Sequence, residues 1–217
     1  MDWTVVLRGL DLDGLGTGLI GIAFTTGAAL HVEKSTIRNF NAGNALGISF
    51  APSGASRLFV TDTIISNNGT GLTGGGITIK PSGTGSARGK ISRSSVQGNN
   101  NNGITADGAA TSASSVVHVS DTDISSSTNN GLLATTPGSG GGSMAVMVDR
   151  AYVVNNPNGV NATGPKSAVF LSNTTIFGSS TGLQNSGGGV TLSYKTNNIN
   201  GGNSPTDGTP TNNLLQD

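Results

Sequence analysis

The sequence predicts an all-β fold: a right-handed, single-stranded parallel β-helix of about eight coils, with three short strands in each coil. Three observations predict it. One phrase, apolar–any–apolar followed after a gap of four by another apolar residue, recurs along the 217-residue chain. A second phrase, Gly followed by alternating residues, falls once between successive copies of the first. The composition is rich in glycine, with 35 of them, and poor in charge, with 10% Asp, Glu, Lys and Arg.

The first phrase reads Val5-x-Leu7…Leu12, Leu30-x-Val32…Ile37, Leu58-x-Val60…Ile65 and Gly89-x-Ile91…Val96. It continues as Val117-x-Val119…Ile124, Val146-x-Val148…Val153, Val169-x-Leu171…Ile176 and Leu192-x-Tyr194…Ile199. The middle anchors are 25, 28, 31, 28, 29, 23 and 23 residues apart. Self-similarity at such a period marks a solenoid. The second phrase runs from Gly21-Ile22-x-Phe24 and Gly47-Ile48-x-Phe50 to Gly159-Val160-x-Ala162 and Gly182-Leu183-x-Asn185. Each repeat therefore holds a Gly-apolar strand, an apolar-x-apolar strand and a strand around a lone apolar residue. Alternation with period two turns one face of each strand inward.

Stacked coils place like residues on like. Leu7, Val32, Val60, Ile91, Val119, Val148, Leu171 and Tyr194 form one expected inward column, and Leu12, Ile37, Ile65, Val96, Ile124, Val153, Ile176 and Ile199 a second. A third runs from Ile22 to Leu183. A fourth tapers from Phe24 and Phe50 through Ile79 to Ala106, Ala134 and Ala162. Ser35, Thr63, Ser94, Thr122, Ala151 and Thr174 form a small inward column whose hydroxyls can bond to backbone. Two residues past the lone apolar position lie Gly14, Asn39, Asn67, Gly98, Ser126, Asn155, Gly178 and Gly201. Gly and Asn there suit a bend with positive φ. The helix is expected to span residues 1–200. Residues 201–217 form a tail, with Leu214-Leu215 as an apolar lid.

Composition narrows the functional classes. Average Gly usage is roughly 7% and average charge roughly 25%, so this chain departs from both in the direction of many tight turns. The net charge is zero, and no basic stripe of the kind nucleic-acid binders carry is visible in the sequence. No apolar run reaches the roughly 18 residues of a membrane span. Met1-Asp2-Trp3-Thr4 enters a repeat at once, without a signal peptide. The absence of Cys excludes disulfides and thiolate metal sites.

Repeats such as Val119-Ser120-Asp121-Thr122-Asp123-Ile124, followed by Gly131-Leu132, resemble the coils of right-handed parallel β-helix proteins of the pectate-lyase-like superfamily. Leu171-Ser172-Asn173-Thr174-Thr175-Ile176, followed by Gly182-Leu183, does the same. The resemblance covers about Val5 to Ile199. It implies the fold, and a bacterial-type protein working outside the cell or at its surface. The superfamily includes lyases, hydrolases, epimerases, tailspikes, adhesins and non-catalytic members, so it implies no single activity. Family members begin with a cap, whereas this chain starts inside a coil. The expectation is that N-terminal coils have been removed, or that Trp3 and its neighbours cover the open end.

The charged residues form one pattern. Lys34, Asp62, Arg93, Asp121 and Arg150 occupy equivalent turns, with signs that alternate without a break. Stacked one coil apart, they favour the register as a structural ladder. Carboxylates that could hold calcium or do acid–base work are Asp11/Asp13 and Asp121/Asp123, each read as two outward side chains on one strand. Paired carboxylates about 5–9.5 Å apart cleave glycosidic bonds, but neither pair has an evident basic or aromatic neighbour in the sequence. In the resembled enzymes the cleft lies along the Gly-apolar strands. There only Lys80 and Asp107 are charged, and they neighbour each other. No Asp cluster and no Asp-Pro-His-Glu run accompanies them. His31 and His118 are three coils apart and read as surface residues. Gly16-Thr17-Gly18-Leu19-Ile20-Gly21 matches a nucleotide-binding fingerprint, yet it precedes a strand and reads as a turn.

Three functions follow. The leading reading is a non-catalytic scaffold, structural or adhesive, with polysaccharide as its partner and no cofactor. The alternative is a polysaccharide lyase or hydrolase, or a remnant of one, with calcium entering only here. Its site would lie near Lys80/Asp107 or Asp121/Asp123. The third is a module that self-associates, as a homodimer or end to end, through the open first coil.

Overall fold

The computed structural model describes residues 3–71, 74–201 and 212–213. The expected lid at Leu214-Leu215 lies outside these. Among the described residues there is no helix, and three parallel sheets build a β-solenoid.

Sheet I has nine strands in chain order, beginning with Thr4–Arg8, Ala29–Glu33, Ala55–Thr61 and Ser86–Ser92 and ending with Val190–Ser193 and Asn212–Asn213. Sheet II has eight short strands, among them Asp11–Asp13, Thr36–Arg38, Asp123–Ser125 and Tyr152–Val154. Sheet III has seven, from Ile20–Phe24 through Asn102–Asp107 and Asn130–Thr135 to Thr181–Ser186. One coil runs from sheet III to sheet I to sheet II. Seven strands in sheet III make the count of complete coils lower than the expected eight.

The second column is present throughout, with Leu12 on Ile37 at one end and Ile176 on Ile199 at the other. The Gly-apolar strands stack Ile22 on Ile48 and Val160 on Leu183. The aromatic end of the tapering column stacks ring on ring, with the Phe24 and Phe50 centroids 4.9 Å apart. These columns form one continuous buried core.

The last coil corrects the expectation. Leu171 pairs with Ser193, not Tyr194, and Val169 pairs with Thr191. Thr191 and Ser193 are therefore buried, while Leu192 and Tyr194 face outward. A one-residue slip exchanges the two faces of a strand.

The small column closes the turn between sheets I and II. Thr63, Ser94, Thr122 and Thr174 each donate a hydroxyl hydrogen bond to the carbonyl two residues back, at 2.8–2.9 Å. The hydroxyls of Ser35 and Ser94 also accept backbone N–H groups from the preceding coil.

The glycines of the second phrase have a steric reason. A Cβ on Gly21, Gly47, Gly76, Gly103, Gly131 or Gly159 would meet a glycine carbonyl oxygen of the next coil at 2.6–2.8 Å. At the other bend, Asn39, Asn67, Gly98, Ser126, Asn155 and Gly178 have positive φ, as the turn column requires. In the first coil that conformation falls on Leu15 instead of Gly14.

An inward ladder follows these bends. Phe40, Asn68, Asn99, Ser127, Asn156 and Ser179 occupy its successive rungs. Asn68 Oδ1 accepts the Phe40 N–H at 3.2 Å, Asn99 Oδ1 accepts the Asn68 N–H at 3.1 Å, and Asn156 Oδ1 accepts the Ser127 N–H at 2.9 Å. The amide nitrogens of Asn68, Asn99 and Asn156 donate down to Ile37, Ile65 and Ile124 carbonyls. Where serine stands on a rung, the side chain is too short to do either. Ser127 Oγ and Ser179 Oγ are the buried polar atoms left without a partner among the described residues.

Candidate functional site

The charged turn column has a backbone property that sequence patterning did not signal. Lys34, Asp62, Arg93, Asp121 and Arg150 all adopt left-handed backbone, with φ between 47° and 52°. Gly9 and Asn173 hold the same conformation at its ends. The side chains pair as two clasps. Arg93 grips Asp62, Nε to Oδ1 at 2.8 Å and Nη2 to Oδ2 at 3.2 Å. Arg150 grips Asp121 in the same way and also contacts Asp149. These bonds hold the Asp62 and Asp121 carboxyls below the usual carboxylate range and push both guanidinium groups up.

The paired carboxylates do not converge as expected. Asp121 sits in the turn before strand Asp123–Ser125, so Asp121 and Asp123 do not share a strand. Asp11 and Asp13 do share one, but they have a basic neighbour in the next coil. Arg38 binds Asp11 through two bonds and reaches Asp13 at 3.4 Å. Its guanidinium stands where a cation between these carboxylates would sit. Asp13 also accepts the Leu15 N–H and the Asn39 amide, and the Leu15 bond chiefly lowers its pKa. Among the described residues no three His, Asp or Glu side chains converge to hold a metal ion.

The two histidines are half-buried. His31 stacks on Phe59, with ring centroids 4.4 Å apart. Both lie on the outer face of sheet I, far from the Gly-apolar strands.

Sheet III carries a groove of about 350 Å³ whose lining includes Thr78, Lys80, Thr105, Asp107, Leu133 and Thr135. Lys80 and Asp107 form an ion pair at 2.8 Å, and the second Asp107 oxygen accepts the Ala109 N–H. Both carboxylate oxygens are thereby occupied. Beside the pair runs a chain of amides and hydroxyls. Asn102 donates to Thr105, Asn130 donates to Asn102, and Asn161 donates to both Asn130 and Gln184. Thr163 links Asn161 to Ser186.

The chain matches no known family model, and no curated protein or solved structure resembles it significantly.

Chemically, the groove offers hydroxyls, amides and one self-neutralised ion pair. A general acid needs a carboxyl whose pKa is raised toward the working pH. The carboxyls with shifted pKa values, Asp13, Asp62 and Asp121, lie outside this groove and are all shifted the other way. The amide chain was not visible in the sequence, where Asn and Thr are common everywhere. Its signal would have been the in-register pair Asn102 and Asn130 at the start of successive Gly-apolar strands.

Proposed function

We propose that the chain is a non-catalytic β-helix scaffold, structural or adhesive, that contacts a neutral polysaccharide along the sheet III groove. The chain of amides and hydroxyls from Thr105 to Ser186 carries this reading. Asn102 and Asn130 are buried and hold the row in place, while Thr105, Asn161, Thr163, Gln184 and Ser186 bring hydroxyls and amides to the surface, which suits a ligand made of repeated hydroxyls. The engaged oxygens of Asp107 support binding rather than cleavage. The likeness of the coil phrases to the pectate-lyase-like superfamily supports an extracellular or cell-surface setting.

Affinity electrophoresis against dextran, xylan and mixed-linkage glucan tests the reading, alongside an assay for reducing ends and unsaturated uronides. Retardation by a neutral polysaccharide is expected, reduced in Asn161→Leu, with no product released. Product release, or no retardation by any of them, overturns it.

A further inference from the structure

The outer face of sheet I carries a second surface, which the sequence hides because its parts are a full coil apart. Arg88 and Lys90 alternate on strand Ser86–Ser92, and Arg57 and Phe59 alternate on strand Ala55–Thr61, so all four face the same way. The register sets Arg88 directly beside Arg57 and Lys90 directly beside Phe59. His31 packs on the far side of Phe59, and His118 lies beyond Lys90. The three cations are exposed. A groove of about 610 Å³ runs past Arg57 and Arg88, bordered by Thr4, Ala55 and Ser86.

Two arginines in directly opposed positions repel each other. The rest of the chain avoids this arrangement. Arg8, Arg38, Arg93 and Arg150 each meet a carboxylate. Among the described residues no carboxylate lies within ion-pair distance of Arg57, Arg88 or Lys90. Adjacent strands are about 4.8 Å apart, so a single planar anion can take donors from both guanidinium forks. The Phe59–His31 stack next to it offers a flat apolar surface. An anion beside a flat, weakly polar ring is the chemistry of an acidic sugar.

We propose that this face binds an acidic saccharide chain, with Arg57 and Arg88 holding a carboxylate or sulfate group and Phe59 packing against the sugar ring. Lys90 flanks the same group from two residues further along the same face of its strand. A nucleic-acid strand fits less well, because it draws its affinity from many phosphate contacts. This block offers three cations on a chain of zero net charge. The site is separate from the sheet III groove and does not depend on it.

Titration of the full chain at low salt with polygalacturonate oligosaccharides, heparin oligosaccharides, dextran and single-stranded DNA tests the assignment. Binding to polygalacturonate or heparin is expected, and the two distinguish carboxylate from sulfate. Arg57→Ala and Arg88→Ala should each weaken it by about tenfold, the scale of one charge-assisted contact, and Phe59→Ala should weaken it by a similar factor through lost ring packing. The melting temperature of Arg88→Ala should equal or exceed the parent's, because a like-charge contact is removed. Asn161→Leu should leave acidic-saccharide binding unchanged, which separates failure here from failure at sheet III. No binding to either acidic saccharide, unchanged binding in the three variants, or equally tight DNA binding that ignores Phe59→Ala overturns the proposal.

Discussion

Arg150 holds Asp121 of the preceding coil by two parallel bonds, Nε to Oδ1 at 2.8 Å and Nη2 to Oδ2 at 3.1 Å, and both residues have left-handed backbone. Asp62 and Arg93 repeat the arrangement. Because these bonds lower the carboxyl pKa values, the clasps contribute fully above the ordinary carboxylate range. Their contribution is lost as pH falls through the lowered values. Thermal melts from pH 7 to pH 2 should show an acid limb that is shallower in the Asp62→Asn, Asp121→Asn double variant. Both groups are solvent-exposed, so the difference should shrink in high salt. An acid limb identical to the parent's would remove the clasps from the stability of the fold.

Lys34 has the same strained backbone without a clasp of its own, and the equivalent place in the first coil is Gly9. Left-handed backbone is unfavourable for residues with a Cβ. Lys34→Gly should therefore raise stability by about 0.5 kcal/mol, after the greater freedom of glycine in the unfolded chain is subtracted. Urea denaturation compares the two, and a lower midpoint would contradict the strain.

Val148 is fully buried between Val119 and Leu171. Val148→Asp places an unpaired charge in the core and should cost on the order of 4 kcal/mol or prevent folding. Asp121→Lys, on the surface, should cost clearly less. Equal losses in circular-dichroism melts would misplace one of the two.

A Cβ on Gly131 would stand 2.7 Å from the Gly159 carbonyl oxygen, which is backbone and cannot move aside. Gly131→Ala should cost about 2 kcal/mol or more through overpacking. Gly89 differs: its Cβ would lie 3.3 Å from the nearest Val117 methyl and 3.6 Å from Ile79. Gly89→Ala should raise stability by about 0.5 kcal/mol, by removing glycine's extra unfolded freedom from a strand. The pair is read by differential scanning calorimetry, where shifts of the same sign would refute the contrast.

Ser127 breaks the buried amide ladder between Asn99 and Asn156, and its hydroxyl lacks a partner. Ser127→Asn restores a rung of the kind seen at Asn99 and Asn156 and should add about 1 kcal/mol. Asn99→Ala, which orphans the Asn68 N–H and the Ile65 carbonyl, should cost about 1–3 kcal/mol. A destabilised Ser127→Asn would show that the serine is there for space.

Much of the fold was legible because alternation and repeat length act together. Ile37 and Ile65 stack as expected, and so do Ala106 and Ala134. The last coil was misread because Leu192 and Tyr194 are more apolar than Thr191 and Ser193. Backbone pairing, including the Tyr194 N–H bond to the Leu171 carbonyl, sets the other face inward. The glycines were read as strand markers, and their steric necessity appears only when the next coil is in place. Arg38 beside Asp11 was hidden for the same reason, since residues 27 apart in sequence meet across coils. Arg57 beside Arg88 was hidden likewise, since residues 31 apart in sequence meet across coils.

The tapering column gives the solenoid a direction. At one end Phe24 faces Phe50, and at the other Ala134 faces Ala162. The coils therefore share a template without being interchangeable. A wide coil transplanted among narrow ones would set a phenyl ring against methyl-sized neighbours, and the reverse exchange would leave a void. Lengthening this protein by duplication is compatible with packing only where the copied coil lands beside its own original.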